Sequence, residues 1–219
     1  MIELKNIYKS YYGNNGQTPA LTDVSLTVDA GDFVAVMGPS GCGKSTLLNV
    51  LGLLDDVDSG QYWFNQNELM HLSESRKDAF RQTHIGFVFQ GFNLIDELSI
   101  YENVELPLVY AGVGSAERRT RTEGLLEQLS LMHRRHYRPT QLSGGQQQRA
   151  AIARAVVTKP SLILADEPTG NLDSTNGDTV MRLLTDLNEG GATIIMVTHS
   201  DYDALYAHRV VRMIDGHIL

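Results

Sequence analysis

The sequence predicts an α/β fold in which a mainly parallel sheet carries polar residues at one edge. Three short apolar runs indicate this class, "FVAVM" at 33–37, "LILA" at 162–165 and "TIIMV" at 193–197, and each has the length and composition of a buried strand. Polar chemistry follows each run, at Gly38, at Asp166, and at Thr198 with His199. Because ligands of parallel α/β sheets bind at the carboxyl ends of the strands, we expect these residues to lie close together.

Apolar residues with helical spacing follow the first two runs, which gives the strand–helix–strand order of a parallel sheet. Glycines at 190 and 191 then end the second helical pattern. The apolar positions are Leu47, Leu48 and Leu51 in the first helix, and Val180, Leu183, Leu184 and Leu187 in the second.

Residues 92–149 differ from this alternation. They hold a proline-containing segment, "NVELPLVYAGVG", and a predicted helix with Leu125, Leu129 and Met132 on one face. We therefore interpret the chain, residues 1–219, as one domain with core segments 1–91 and 150–219 and a mainly helical insertion at 92–149.

Composition limits the classes of partner. The chain has 219 residues with 18 Lys and Arg against 26 Asp and Glu, a net charge of −8, which argues against nucleic acid as the main partner. The single cysteine, Cys42, excludes an intrachain disulfide and suits a reducing compartment. No run approaches the roughly 18 apolar residues of a membrane span, and "MIELKNIYKS" has no signal-peptide core. We expect a cytoplasmic protein that reaches a membrane only through a partner.

The stretch "GPSGCGKST", residues 38–46, fits the phosphate-loop pattern G-x-x-x-x-G-K-[ST] and lies between a predicted strand and a predicted helix. In this interpretation backbone N–H groups from Gly41 to Ser45 cradle phosphates, Lys44 neutralises phosphate oxygens, and Ser45 binds Mg²⁺. Cys42 is more simply a small loop residue than a redox switch. The positions predicted to bind the nucleotide here are Gly38, Ser40, Gly41, Cys42, Gly43, Lys44, Ser45 and Thr46.

The stretch "LILADEPTG", residues 162–170, supplies the carboxylates that a Mg-nucleotide site needs. Asp166 ends an apolar strand and can hold the metal directly or through water. Glu167 follows it and can polarise an attacking water. An ordinary acidic junction between a strand and a loop is the alternative, and the nearby phosphate loop makes it the weaker one.

Gln90 and His199 also end apolar segments, "IGFVF" and "IIMVT". A lone histidine is more often structural than catalytic, and a lone glutamine is weaker evidence still. If both lie on the same sheet edge as Lys44 and Asp166, they are candidates to contact the γ-phosphate and the attacking water.

The stretch "LSGGQQQRA", residues 142–150, predicts a capped helix start. Ser143 and Gln146 fit a capping box, which explains these two residues but neither glycine. Gly144 and Gly145 are unfavourable inside a helix, and we interpret them as leaving the exposed N–H donors open to an anion.

Two further clusters favour structural interpretations. A basic patch fits a solvated face of the insertion better than a binding site. Its members are Arg118, Arg119, Arg121, His133, Arg134, Arg135, His136 and Arg138. Tyr8, Tyr11 and Tyr12 could pack at a strand end, or one could stack on a base, and spacing alone leaves both open.

Taken in order, the phosphate loop, Gln90, "LSGGQQQR", "LILADEP", "NLD" and "VTH" resemble the nucleotide-binding subunits of ATP-binding cassette (ABC) transporters across essentially the whole chain. Within that superfamily, "IGFVFQGFNLIDELSIYENVELPL" and "DEPTGNLDS" are most similar to the branch with lipoprotein-release, macrolide-export and cell-division ATPases. The resemblance implies a P-loop NTPase core with a mainly parallel sheet, an N-terminal antiparallel β portion and a helical insertion.

The resemblance also implies roles for individual residues in binding Mg-ATP. Tyr11 would stack on adenine, Gln90 would contact Mg²⁺ and sense the membrane partner, Glu167 would be the catalytic base, Asp173 would belong to a dimer-contact loop, and His199 would contact the γ-phosphate. Two copies would pair head to tail in the ATP state, so that Ser143 and Gly145, with Gly144 and Gln146 beside them, close over the partner's ATP.

The implied partner is an integral membrane permease, as a separate subunit or a fused domain, and the implied location is the cytoplasmic face of the inner (plasma) membrane. Other ATPases that carry a helix like the one beginning at 142–150 act in DNA repair and chromosome structure or in translation. The DNA-repair and chromosome proteins usually carry a long heptad insertion, and the translation proteins carry two cassettes in one chain. This sequence has neither feature. Two alternatives to export by a separate subunit stay open: a signal transmitted through a membrane protein to an extracytoplasmic enzyme, and an excised domain of a longer transporter. The sequence names no substrate.

Overall fold

The structure, a computed structural model, describes residues 1–13 and 16–219 and contains two sheets with helices packed against them. The strands are β1 (Ile2–Gly13), β2 (Gly16–Val28), β3 (Phe33–Met37), β4 (Ser59–Phe64), β5 (Asn67–Glu68), β6 (Ile85–Phe89), β7 (Leu162–Asp166), β8 (Thr193–Thr198), β9 (Arg209–Ile214) and β10 (His217–Ile218). The helices are α1 (Lys44–Leu51), α2 (Glu74–His84), α3 (Ile100–Tyr110), α4 (Ser115–Gln128), α5 (Gly144–Val156), α6 (Ser174–Glu189) and α7 (Asp201–Ala204).

The larger sheet has the strand order β10–β9–β3–β8–β7–β6, and every neighbouring pair except β9 with β10 is parallel. The three strands predicted from apolar runs are therefore confirmed as β3, β7 and β8, which lie side by side at its centre. Their side chains alternate between two cores: Val34 and Val36 face α1, whereas Phe33 and Ala35 face the side covered by α5 and α6. Burial on both faces explains why these strands read as continuous apolar runs.

The smaller sheet is antiparallel, with the order β2–β1–β4–β5, and Ile2 pairs with Val28 across its first two strands. Its buried side chains, including Leu4 and Val24, join the same core as α1 and the α1-facing side of the larger sheet. The predicted fold class, a parallel α/β core with an antiparallel N-terminal portion and inserted helices, is confirmed.

Between β6 and β7 the chain forms α3, α4 and α5 around a third core that contains Ile100, Val104 and Leu126. Pro107 lies inside α3. No helix in the described part of the chain is long and apolar enough to cross a membrane.

One predicted helix is shorter than its apolar spacing indicated. The prediction placed Leu125, Leu129 and Met132 on one helical face, but α4 ends at Gln128 and Met132 lies in a 3₁₀ turn. Ser130 takes a left-handed φ of 56°, and the N–H groups of Leu131 and Ser130 donate back to the carbonyls of Leu126 and Glu127. This Schellman pattern ends the helix, and a serine in the position that glycine usually occupies gave no sequence signal for it.

Candidate active site

The four strands β3, β8, β7 and β6 are parallel neighbours, so the residues that follow them share one sheet edge. The phosphate loop follows β3, His199 follows β8, Glu167 follows β7 and Gln90 follows β6. The structure thus brings together the polar residues that the sequence pointed to separately, at the edge where α/β sheets bind ligands.

A groove of about 750 Å³ opens at this edge, and we call it the nucleotide groove. Its lining includes nine predicted residues: Tyr11, Ser40, Gly41, Gly43, Lys44, Ser45, Thr46, Glu167 and His199. Thr18, Pro19 and Ala20 from β2 complete the lining, and no sequence pattern had pointed to them. Among the described residues, the lining does not include Gly38, Cys42, Gln90, Asp166 or the helix start at 143–146.

The phosphate loop keeps its cation free of carboxylates. Lys44 is buried, and its Nζ donates to the carbonyl oxygens of Gly38 at 2.8 Å and Pro39 at 2.9 Å. In the described part of the chain no carboxylate oxygen lies within 4.0 Å of this Nζ. Its charge is therefore available to an anion that enters the loop.

The glycines of the loop have local steric reasons. Gly43 has a φ of 101°, and a Cβ built there would lie 2.3 Å from the carbonyl oxygen of Ala20, so only glycine lets α1 begin here. Cys42 packs its side chain into the core, and its N–H donates to the carbonyl of Pro39 at 3.3 Å. Cys42 can therefore meet a ligand only through its backbone.

Asp166 ends β7, and Glu167 follows it directly. Burial raises the pKa of the half-buried Asp166, the charge of Glu167 raises it further, and the charge of Lys44 opposes this shift. A cation beside Asp166 would relieve the cost of its charge. No cluster of three His, Cys, Asp or Glu side chains able to hold a metal occurs among the described residues. One carboxylate with hydroxyl, amide and phosphate oxygens is the type of site that Mg²⁺ uses, and Asp166, Ser45 and Gln90 carry oxygens of the first three types.

Glu167 and His199, which both line the groove, contact each other. Nδ1 of His199 lies 3.0 Å from Oε2 of Glu167, and the histidine side chain is 67% exposed. Glu167 has a left-handed φ of 45°, and its N–H donates to the carbonyl of Val197 on β8 at 2.9 Å. Strained backbone of this type persists only where the surroundings fix it, and it is common in active sites.

Gln90 lies beside the loop that follows Glu167. Its carbonyl oxygen accepts from Nδ2 of Asn171 at 2.9 Å. Its side chain lies against Gly170, where a Cβ would come within 2.7 Å of Nε2. Movement of Gln90 would therefore displace the loop that follows Glu167.

Tyr11 is held by two residues that the sequence did not suggest. Its hydroxyl donates to Oδ2 of Asp55 at 2.5 Å, and Nζ of Lys9 lies 5.1 Å from its ring centroid. Burial raises the pKa of Tyr11, and the Asp55 contact adds to the shift. Tyr11 is 42% exposed and lines the nucleotide groove. Asp55 is far from Tyr11 in sequence, and the two meet only because β1 passes beside the loop after α1.

The helix start at 143–146 is capped as predicted. Oγ of Ser143 accepts from the N–H of Gln146, and Oε1 of Gln146 accepts from the N–H of Ser143. Ser143 is exposed, and a Cβ at Gly144 would make only ordinary contact, 3.5 Å from Leu172. Gly145 is buried, and a Cβ there would lie 2.1 Å from Oδ1 of Asn176. Packing against Asn176 in the same chain thus requires glycine at position 145, a constraint that the sequence did not reveal.

Two buried polar side chains contact the loop after Glu167. Nε2 of Gln148 donates to the carbonyl of Pro168 at 2.7 Å, and the hydroxyl of Thr169 donates to Oδ2 of Asp203. Sequence analysis identified neither residue. The helix pattern did not distinguish Gln148 from the neighbouring glutamines, and Asp203 lies outside every motif.

A family model described as "ABC transporter" matches residues 21–170, a range that spans the phosphate loop, Gln90, the capped helix start and Glu167. The chain belongs to the ABC transporter family. It is an ATP-binding cassette, an ATP hydrolase of the ABC type, and the resemblance read from its motifs is confirmed.

Similar proteins agree with this assignment. An uncharacterized ABC transporter ATP-binding protein of Methanocaldococcus jannaschii is 48% identical over 219 residues, which covers 100% of the cassette and 98% of that protein. A macrolide export ATP-binding/permease protein of Bartonella henselae is 46% identical, and a pyoverdine export ATP-binding/permease protein of Pseudomonas fluorescens is 48% identical. The cassette spans only 33% of the former and 34% of the latter.

A solved ABC cassette has the same fold. It is described as a dimeric structure of a post-hydrolysis state bound to ADP and Pi, and it is 43% identical with a TM-score of 0.92. The match covers 100% of this cassette and 96% of that chain.

Proposed function

We propose that the cassette pairs head to tail with a second copy around two ATP molecules and drives a membrane permease of the macrolide-export or lipoprotein-release type. One observation carries the dimer. The nucleotide groove is lined from one side by the phosphate loop and Glu167, whereas the helix start at Ser143 is exposed and does not line the groove among the described residues. A second copy can bring its own helix start to the open side.

On the phosphate side of the groove, the N–H groups from Gly41 to Ser45 and the charge of Lys44 hold the phosphates of ATP. Asp166, Ser45 and Gln90 would hold Mg²⁺, which would supply neutralising charge to the phosphate oxygens. The remaining predicted contacts to the phosphates come from the backbone of Gly38 and Cys42 and from Ser40, Gly43 and Thr46. The ring of Tyr11 stacks on the adenine.

On the hydrolytic side of the groove, Glu167 accepts a proton from the attacking water as general base. His199 orients Glu167 through its 3.0 Å contact and reaches the γ-phosphate. Both residues follow central strands of the sheet, so their separation is fixed by the rigid core. A rigid scaffold of this kind suits a reaction that depends on positioning.

The partner's contribution comes from a helix start prepared for an anion. The N–H groups of Ser143 and Gln146 are engaged in the capping box. Gly144 and Gly145, flanked by these two residues, present N–H groups at the positive end of α5, where a γ-phosphate is stabilised. Asn176 packs against Gly145 and donates through Nδ2 to Asp173 at 2.7 Å. This contact ties the segment at Asp173, which we place in the dimer contact, to the helix that reaches the partner's ATP.

The permease surface lies where β6 leads into the helical insertion. Arg154 donates to the carbonyls of Phe92 at 3.1 Å and Asn93 at 2.6 Å, which holds this turn against α5. A groove of about 250 Å³ lies nearby, lined in part by Phe87, Phe89 and Pro107. We place a cytoplasmic helix of the permease here, beside Phe92, Leu94 and Ile95, which puts the cassette at the cytoplasmic face of the inner (plasma) membrane as a peripheral subunit or domain.

The dimer is tested by a charge at the helix start. Glu167→Gln should keep ATP bound without hydrolysis, so light scattering should show dimers when Mg-ATP is added. Adding Ser143→Asp keeps an N-cap acceptor but places a negative charge where the partner's γ-phosphate must approach, and it should abolish the dimer. Ser143→Asn has the same shape without the charge and should still dimerise. Equal dimerisation of the Asp and Asn variants would contradict the head-to-tail arrangement.

A further inference from the structure

Gln148 is a fully buried amide in the middle of α5. Its Nε2 donates to the carbonyl of Pro168 at 2.7 Å, and Pro168 directly follows Glu167. Its Oε1 is buried and has no hydrogen-bond partner among the described residues. The neighbouring positions from Ala150 to Ala153 are buried and apolar, so an apolar residue at 148 would pack there without leaving an unsatisfied acceptor.

The hydrogen bond from Gln148 to Pro168 holds the backbone directly after Glu167. Besides the His199 contact, hydrogen bonds join residues 167–169 to three elements: the N–H of Glu167 donates to Val197 on β8, Gln148 on α5 donates to Pro168, and Thr169 donates to Asp203 on α7. A left-handed residue such as Glu167, with φ 45°, keeps its conformation only when such contacts over-determine it. Among these three ties, the one from Gln148 comes from the helix whose exposed start we place against the partner's ATP.

We propose that Gln148 is a positioning residue. It couples the position of α5 to the orientation of the Glu167 carboxylate. Ser143 caps the helix on which Gln148 lies, and the two residues are about 7.5 Å apart along its axis. A partner's γ-phosphate that draws the start of α5 toward it therefore moves the amide that holds Pro168, and with it the base of the same chain. ATP in the partner's site thereby favours hydrolysis in this one. The inference rests on the proposed role of Glu167 as the base.

The first test removes the donor and keeps the shape. Gln148→Met should lower kcat for ATP hydrolysis about 5- to 10-fold, the change expected from losing one hydrogen bond that holds the base. ATP affinity should stay within about twofold, because Gln148 contacts neither the phosphate loop nor Tyr11. Gln147→Met is the matched control, since Nε2 of Gln147 donates to the carbonyl of Leu142, just before its own helix, and not to the loop after Glu167. Its kcat should be unchanged.

A double-mutant cycle separates positioning from general damage. In the Glu167→Gln background, Gln148→Met should cause no further loss of the residual rate, because its effect passes through the carboxylate that is already gone. A multiplicative loss would overturn the inference. If Gln148→Met does not fold, Gln148→Ala, which inserts no new group, carries the same cycle.

The outcome for the proposed function is separate. Full turnover by Glu167→Gln would contradict the role of Glu167 as the base. It would thereby contradict both the proposed hydrolytic mechanism and the proposed role of Gln148. Loss of turnover by Glu167→Gln together with an unchanged kcat for Gln148→Met would overturn only the role of Gln148.

Discussion

The imidazole Nδ1 of His199 lies 3.0 Å from Oε2 of Glu167, so the proposed base and the proposed γ-phosphate contact already touch in the single chain. The contact joins the ends of β8 and β7, two paired central strands. Glu167 is thereby oriented by a neighbour as well as by its strained backbone, which is the arrangement of a general base held by a second group.

Removing the imidazole should therefore damage hydrolysis more than binding. We expect His199→Ala to lower kcat by about 10²-fold or more, because it removes the group that orients the base, while ATP affinity changes by about threefold or less. Steady-state hydrolysis and equilibrium ATP binding measure the two effects. His133→Ala, at an exposed position of the helical insertion, is the control and should behave like the unmodified protein. Parallel losses in binding and kcat would contradict this role.

The charge of Lys44 supports a different prediction. Because its Nζ contacts only carbonyl oxygens of the loop and the weak acceptor Sγ of Cys42 among the described residues, Lys44→Ala removes the cation that the loop offers to phosphates. We expect ATP binding or hydrolysis to be abolished, measured as turnover at saturating ATP and as bound nucleotide. Lys5→Ala, where the cation pairs with Glu3 on the antiparallel sheet, should keep full activity. Undiminished turnover of Lys44→Ala would remove the phosphate-loop assignment.

The sequence predicted the chemistry of the sheet edge better than the contacts that support it. Strands buried on both faces leave apolar runs, and the phosphate loop has a fixed spacing, so β3, β7, β8 and the residues after them could be found directly. Asp55 beneath Tyr11, Asn176 against Gly145 and Asp203 bonded to Thr169 could not. Each is a single polar residue whose partner is distant in sequence or on another element, and it leaves no period or motif.

The two glycines of the helix start should differ in what they tolerate. Gly145→Ala places a Cβ 2.1 Å from Oδ1 of Asn176, so we expect a loss of unfolding free energy of about 1–3 kcal/mol from overpacking. Gly144→Ala makes only ordinary contacts and should be neutral or stabilise by up to about 1 kcal/mol. Denaturant unfolding of the single chain without nucleotide measures both. Asn176→Ala combined with Gly145→Ala should recover most of the loss, and equal stability of the two alanine variants would contradict the packing argument.

The permease surface can be located by crosslinking. Photoreactive residues at Phe92, Leu94 and Ile95, in the turn held by Arg154, should crosslink to the membrane partner when the cassette is bound to its native membranes. Positions 56–59, which precede and begin β4 on the antiparallel sheet, provide the comparison. If the first set reaches a membrane protein no more often than the second, the surface lies elsewhere. Identification of the crosslinked protein also separates an exporter from a membrane protein that relays a signal.

Replacement of Asp166 should have opposite effects on the melting temperatures of the free and the nucleotide-bound protein. Its pKa is raised by burial and by the charge of Glu167, which means that the ionised carboxylate disfavours the folded state above its folded pKa and that this cost is removed as the pH falls through it. Asp166→Asn removes the charge permanently, so the melting temperature at pH 7 without nucleotide should rise or stay equal. Mg-ATP at about 100 times its Kd should raise the melting temperature of the unmodified protein by about 5–10 °C, whereas the Asn variant, which lacks the anionic metal ligand, should show little of this shift. Repeating the scans with ATP and a chelator isolates the metal, since the unmodified protein should then lose part of its shift and the variant should lose none. A variant that keeps the full Mg-dependent shift would show that Asp166 does not hold the metal.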